Sequence, residues 1–169
     1  MKIINQIFKS EESFGFTLGQ IQFLGKFEIQ NLIDWGSFDI ETRPNFIKER
    51  LTLNKGSDYL IGLFKSNELT KHDFKFLPHD AIYYYLDGYS DSEEDWGDNK
   101  QTFKSLLEYF KNETLSIIDG CYLINKEWFS VESKKIRIRE YSLYDFYFII
   151  VWVDKNNDSL VHISEWFGD

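Results

Sequence analysis

Between Phe146 and Val153 the chain reads FYFIIVWV, eight residues that are all aromatic, Val or Ile. The run is far short of the roughly 18 apolar residues that would suggest a membrane span. Its β-branched and aromatic side chains are restricted on a helix but fit a pleated surface. No polar residue alternates within it, so it predicts a strand covered on both faces. Asp154 to Asp158 (DKNND) follows, and short Asp and Asn side chains bond back to their own backbone in turns. Leu160, Ile163 and Trp166 then give a second strand. Residues 144–166 are expected to form a central hairpin on which the other elements assemble.

Upstream, Lys2 to Phe8 reads as a strand. Phe14, Phe16 and Leu18 alternate with small or polar residues, Gly19-Gln20 is a candidate turn, and Ile21, Phe23, Phe27 and Ile29 continue the period of two, which predicts a hairpin meander. Thr42 as N-cap, Pro44 in the first turn and a stop at Asn54 to Gly56 predict a helix over 44–53. Further strands are expected at Tyr59 to Phe64, at Phe74 and Phe76, and at Ala81 to Leu86, with Pro78 marking an edge or connection. Asp98 to Gln101 has capping-box spacing, and Phe103, Leu106, Leu107 and Phe110 recur at i, i+3, i+4 and i+7, which predicts a helix over 99–111. Leu115 to Ile118, Tyr122 to Ile124 and Trp128 to Val131 read as strands, and Ile136, Ile138 and Tyr141 as a one-sided strand leading into the hairpin. The expectation is an α+β fold, a predominantly antiparallel β-sheet with two short helices packed on it. Residues 1–169 are expected to form a single globular domain, a length sufficient for one buried core.

The formal charge of −9 is unevenly spread. Asp87, Asp91, Glu93, Glu94, Asp95 and Asp98 fall within residues 87–98, which contain no basic residue. Binding nucleic acid requires Lys and Arg to displace counterions from phosphate, so direct binding is disfavoured and a basic protein partner is favoured. Tyr89 and Trp96 lie among these carboxylates, as aromatic anchors ringed by steering charge do at docking surfaces. A solvated charge run is the alternative reading, and a metal site lacks regular ligand spacing and a nearby His. The single Cys121 excludes an intramolecular disulfide, and its apolar context predicts a buried thiol suited to a reducing cytosol. The first residues, MKIINQIFKSEES, lack the apolar core of a signal peptide, so a cytoplasmic protein with no membrane association, monomeric or weakly self-associating, is expected.

Chemistry-bearing patterns are sparse. Asp154, Asn156, Asp158 and Glu165 occupy positions one, three, five and twelve of a calcium loop, but Ser159 stands where such a loop turns on Gly, and an Asx-stabilised hairpin turn is the simpler reading. His72, His79 and His162 have no metal-ligand spacing, and no phosphate-binding glycine loop or nucleophile motif is present. No catalytic residue, metal or cofactor is expected. Lys134, Lys135, Arg137 and Arg139, with Glu132 and Glu140 beside them, read as the solvated face of a strand.

The C-terminal pattern, an apolar strand FYFIIVWV, a polar turn, then His162-Ile163-Ser164-Glu165-Trp166, resembles immunity proteins of bacterial contact-dependent growth inhibition systems, several of which end in an Ile-Ser-Glu-Trp segment. The order upstream is similar, with a tryptophan-containing stretch at Trp35, a short basic helix and an apolar strand at Tyr59 to Phe64. The resemblance implies a small cytosolic protein that binds and blocks a delivered toxin domain, often a nuclease. It carries over no toxin-contacting residue, and the spacing of Ser164, Glu165 and Trp166 suits a structural role. Two other functions stay open: an acidic nucleic-acid mimic or anti-defence protein, and an enzyme or small-ligand module in which Tyr83 to Tyr85 and Trp128 line a pocket.

Overall fold

The structure, a computed structural model, describes residues 2–11, 14–36, 60–61, 63–92, 99–114, 116–136 and 144–168. In chain order the elements are β1 (Lys2–Glu11), β2 (Phe14–Gln22), α1 (Ile29–Gly36), β3 (Leu60–Ile61), β4 (Phe64–Lys65), β5 (Lys75–Pro78), α2 (His79–Ser92), α3 (Asn99–Thr114), β6 (Gly120–Asn125), β7 (Phe146–Asp154) and β8 (Asn157–Gly168). Six strands form one sheet in the order β1-β2-β8-β7-β6-β5, every neighbouring pair antiparallel, and β3 and β4 form a separate small ribbon. This is an α+β fold.

The expected central hairpin is present as β7 and β8, whose register sets Phe148 opposite Trp166 and Trp152 opposite His162. Its turn is held by the Asp and Asn side chains that the sequence offers: Asn156 N–H donates to Asp154 Oδ1 at 2.8 Å and Ser159 N–H to Asn157 Oδ1 at 3.2 Å. Because successive side chains alternate between faces, each of these strands contributes to two cores. One face carries Phe16, Phe148, Ile150, Trp152 and Trp166 beneath Ile82 and Leu86 of α2 and Phe103, Leu106 and Phe110 of α3. The other carries Ile21, Tyr147, Ile149, Val151 and Ile163 beneath Leu32 and Ile33 of α1, with Phe64 of β4 and Leu69 and Phe74 from the connecting segments. Each such side chain removed from water contributes about 1.5–3 kcal/mol before ordering costs.

Several expected strands are not strands. Ala81 to Leu86 lies inside α2, because Ile82 and Leu86, both fully buried, recur at the helical spacing of four and face α3 and the sheet. Aromatic β-propensity yields here to that packing. Phe14 to Gln22 is one uninterrupted strand, so Gly19-Gln20 is not a turn; Phe27 lies on the approach to α1 and Ile29 is its first residue, in a helix that the period of two did not predict. Residues 116–117 form a turn, and Lys126–Trp128 is a 3₁₀ turn started by Asn125, whose side chain accepts from Glu127 N–H at 2.9 Å. Strand β5 ends at Pro78 on the sheet edge, as expected for a residue with no N–H to donate. The expected 99–111 helix extends as Asn99–Thr114. The expected 44–53 helix lies outside the described residues, as do Asp98 of the capping box and all of the expected 136–141 strand except Ile136, which bridges Phe64.

Candidate functional site

Helices α2 and α3 form one layer over the sheet, and the stretch of sequence that includes them carries most of the net charge. Residues 79–114 hold nine carboxylates and three lysines, a net −6 of the total −9. Helix α2 contains Asp80, Asp87 and Asp91 and no Lys or Arg. The lysines of α3 turn toward two of these. Lys111 Nζ donates to both oxygens of Asp87, at 3.1 and 3.3 Å, and to Glu108 Oε1 at 3.3 Å. Asp91 Oδ1 lies 3.2 Å from Lys104 Nζ and 3.5 Å from Lys100 Nζ. Partial burial opposes the charge of Lys111, but Asp87 and Glu108 outweigh it and hold the ammonium above its ordinary range. The hydrogen bond and charge of Lys104, with Lys100 behind it, hold the exposed Asp91 carboxyl below its own.

The expected docking residues separate into three groups. Asp87 and Asp91 lie on α2 and are engaged by lysines. Tyr89 faces inward: its ring packs 5.5 Å from Phe146 and 5.6 Å from Phe148, and its phenol donates to Glu127 Oε1 at 2.8 Å. Glu93, Glu94, Asp95, Trp96 and Asp98 lie outside the described residues.

A residue expected only as part of a pocket lining stands on the outer side of the same helix. Tyr84 is 78 % exposed. Read as a strand, AIYYYL sets Tyr84 on one face with Ile82 and Leu86; wound as a helix, it turns Ile82 and Leu86 inward and Tyr84 out. The missing signal was the period, not the residue type.

No protein-family model, curated protein or solved structure matches this chain. The site therefore stands on its own geometry.

The Ile-Ser-Glu-Trp residues are core. Ile163, Ser164, Glu165 and Trp166 are each at most 1 % exposed along β8. Trp166 stacks on Phe16 with ring centroids 4.7 Å apart, and Glu165 accepts a hydrogen bond from the Tyr147 phenol on the opposite face. The calcium spacing does not close into a loop, since Asp158 and Glu165 lie along one strand. Glu165 points to the face of Tyr147, while Asp154 bonds His162 on the other. Among the described residues no group of three or more His, Cys, Asp or Glu side chains is arranged to hold a metal ion.

His162, fully buried, lies between Gln20 and Asp154, with Nδ1 3.4 Å from Gln20 Nε2 and Nε2 3.2 Å from Asp154 Oδ2. The amide donates to Nδ1, so Nε2–H donates to the carboxylate and the ring is neutral. Burial pulls its pKa down, with Asp154 opposing. The arrangement ties β2, β8 and β7 together at one end of the sheet.

Of the aromatic side chains expected to line a pocket, Tyr83, Tyr85 and Trp128 are tied into the fold and Tyr84 is turned to solvent. Tyr83 pairs with Thr114 Oγ1 at 3.1 Å, Tyr85 accepts from Asn125, and Lys75 Nζ sits 3.9 Å above the ring of Trp128. Burial pushes the Tyr85 phenol up to about 12. No described helix is long and apolar enough to cross a membrane.

Proposed function

We propose that this chain is an immunity protein: it binds a basic bacterial toxin domain, a nuclease by preference, and blocks it stoichiometrically and without turnover. One observation carries the reading. Two-thirds of the net negative charge falls within residues 79–114, the stretch of sequence that includes α2 and α3, leaving −3 for the other 133 residues. A nuclease site attracts phosphate and is basic, so an inhibitor that presents such a stretch gains steering and complementarity. The C-terminal resemblance points the same way, and the burial of Ile163 to Trp166 fits a motif that maintains the scaffold while the partner-facing surface varies.

Co-purification tests this. The tagged protein, expressed in its native host or with the product of the adjacent upstream gene, should retain a stoichiometric basic protein at physiological salt. That protein should be toxic alone and harmless when co-expressed. A host in which the neighbouring toxin genes are expressed, yet no partner is retained at low or physiological salt, would remove the immunity reading.

A further inference from the structure

We propose that the outward stripe of α2 containing Asp80, Tyr84 and Gly88 is where the acidic layer takes hold of its partner, and that it receives an arginine presented by a basic protein surface. The inference rests on the reading of that layer as partner-facing.

Helix α2 holds four tyrosines. Tyr83, Tyr85 and Tyr89 are half-buried, and each phenol is bonded within the fold, to Thr114, Asn125 and Glu127 respectively. Tyr84 alone of the four is turned to solvent. One turn further on, Gly88 stands mid-helix, where a Cβ would meet nothing within 4 Å. Packing therefore does not demand glycine there, and glycine in a helix interior costs about 1 kcal/mol relative to alanine. What it does is local. A longer side chain at i+4 would share this face of the helix with Tyr84, and glycine leaves the space beside it open to an approaching group.

One turn before Tyr84, on the same side, the Asp80 side chain is 86 % exposed. It is bonded to the neighbouring His79 Nδ1 at 2.7 Å and to no lysine or arginine among the described residues. Asp87 and Asp91 are already engaged by lysines, so Asp80 is the α2 carboxylate left for a partner's cation. The stripe thus offers an aromatic face, an open flank and a carboxylate one turn away. A guanidinium is planar, stacks on a ring and bonds a carboxylate through two N–H groups at once; an ammonium cannot do both. The net −6 of residues 79–114 sets the partner's sign, and excludes a nucleic-acid ligand by the same repulsion.

The test is an amide-resolved NMR titration of the full chain at low salt with acetylated hexa-arginine amide, hexa-lysine amide serving as control. Hexa-arginine should first perturb residues 80–91. Tyr84→Ala should weaken it about two- to fivefold, while Tyr84→Phe, which keeps the ring, binds as the parent does. Hexa-lysine should bind more weakly and ignore both substitutions. Perturbation centred elsewhere, equal affinity for the two peptides, or no effect of Tyr84→Ala would each overturn the proposal. Growth protection against the neighbouring toxin separates it from the immunity reading. Full protection by the Tyr84→Ala, Asp80→Asn double variant sinks the stripe and leaves immunity standing. No protection by the parent chain, with the peptide results as expected, sinks immunity and leaves the stripe.

Discussion

The phenol of Tyr147 on β7 donates to Glu165 Oε1 on β8 inside the core, where neither residue is more than 1 % exposed. The two sit diagonally across adjacent strands, since Tyr147 pairs with Phe167 and Glu165 with Ile149. Burying a carboxylate is costly unless its oxygens are hydrogen-bonded, so the phenol helps make a Glu tolerable at the centre of the sheet. Tyr147→Phe keeps the ring and removes the donor. Urea unfolding should report a loss of about 1–3 kcal/mol, and an unchanged midpoint would mean that the bond contributes nothing.

Stability should also fall as the solution is made mildly acidic, through His162. Burial sets its folded pKa below the 6.5 of the free side chain. Between those two values the unfolded chain binds a proton that the folded chain does not, so stability rises with pH across that window. Above the free value both states are neutral and the contribution vanishes. Unfolding midpoints at pH 7.5 and 5.5 should differ more in the parent than in His162→Gln, and equal slopes would show that His162 does not titrate on unfolding.

Charge substitutions in the acidic segment 91–95 should read out in association kinetics and not in folding. Replacing Asp91, Glu93, Glu94 and Asp95 by Ser or Asn should slow binding to the basic partner and flatten its salt dependence while the unfolding midpoint holds, because exposed ion pairs add little to stability. Asp91→Asn alone should have a modest effect, since Lys100 and Lys104 already occupy its carboxylate. Binding unchanged in the fourfold variant would remove this segment from the interface.

The hairpin was legible because the strand chemistry of FYFIIVWV and the turn chemistry of DKNND agree with their tertiary setting. Helix 99–114 was legible from the spacing of Phe103, Leu106, Leu107 and Phe110. Helix α2 was not, because three consecutive tyrosines satisfy a period of two as well as the helical one, and the choice between them is made by α3 and the sheet. The same ambiguity assigned Tyr84 to a pocket instead of the solvent face and promoted Tyr89. Tyr89 lies among carboxylates in sequence but against Phe103, Phe146 and Phe148 in space, partners supplied by two distant elements.

The lone thiol offers a direct probe of how tightly the α2 side of the sheet is closed. Cys121 on β6 is fully buried opposite Trp152, and burial pushes its pKa up to about 12. At pH 8 it is therefore both protonated and inaccessible, whereas the thiolate is the reactive form. An aromatic disulfide reagent should react with the native chain only through opening, at a rate that rises with urea in parallel with global unfolding. Cys121→Ser should cost about 1–3 kcal/mol by burying a hydroxyl in an apolar site. Reaction within mixing time in native buffer would mean that β6 and the helices above it part far more readily than their packing implies.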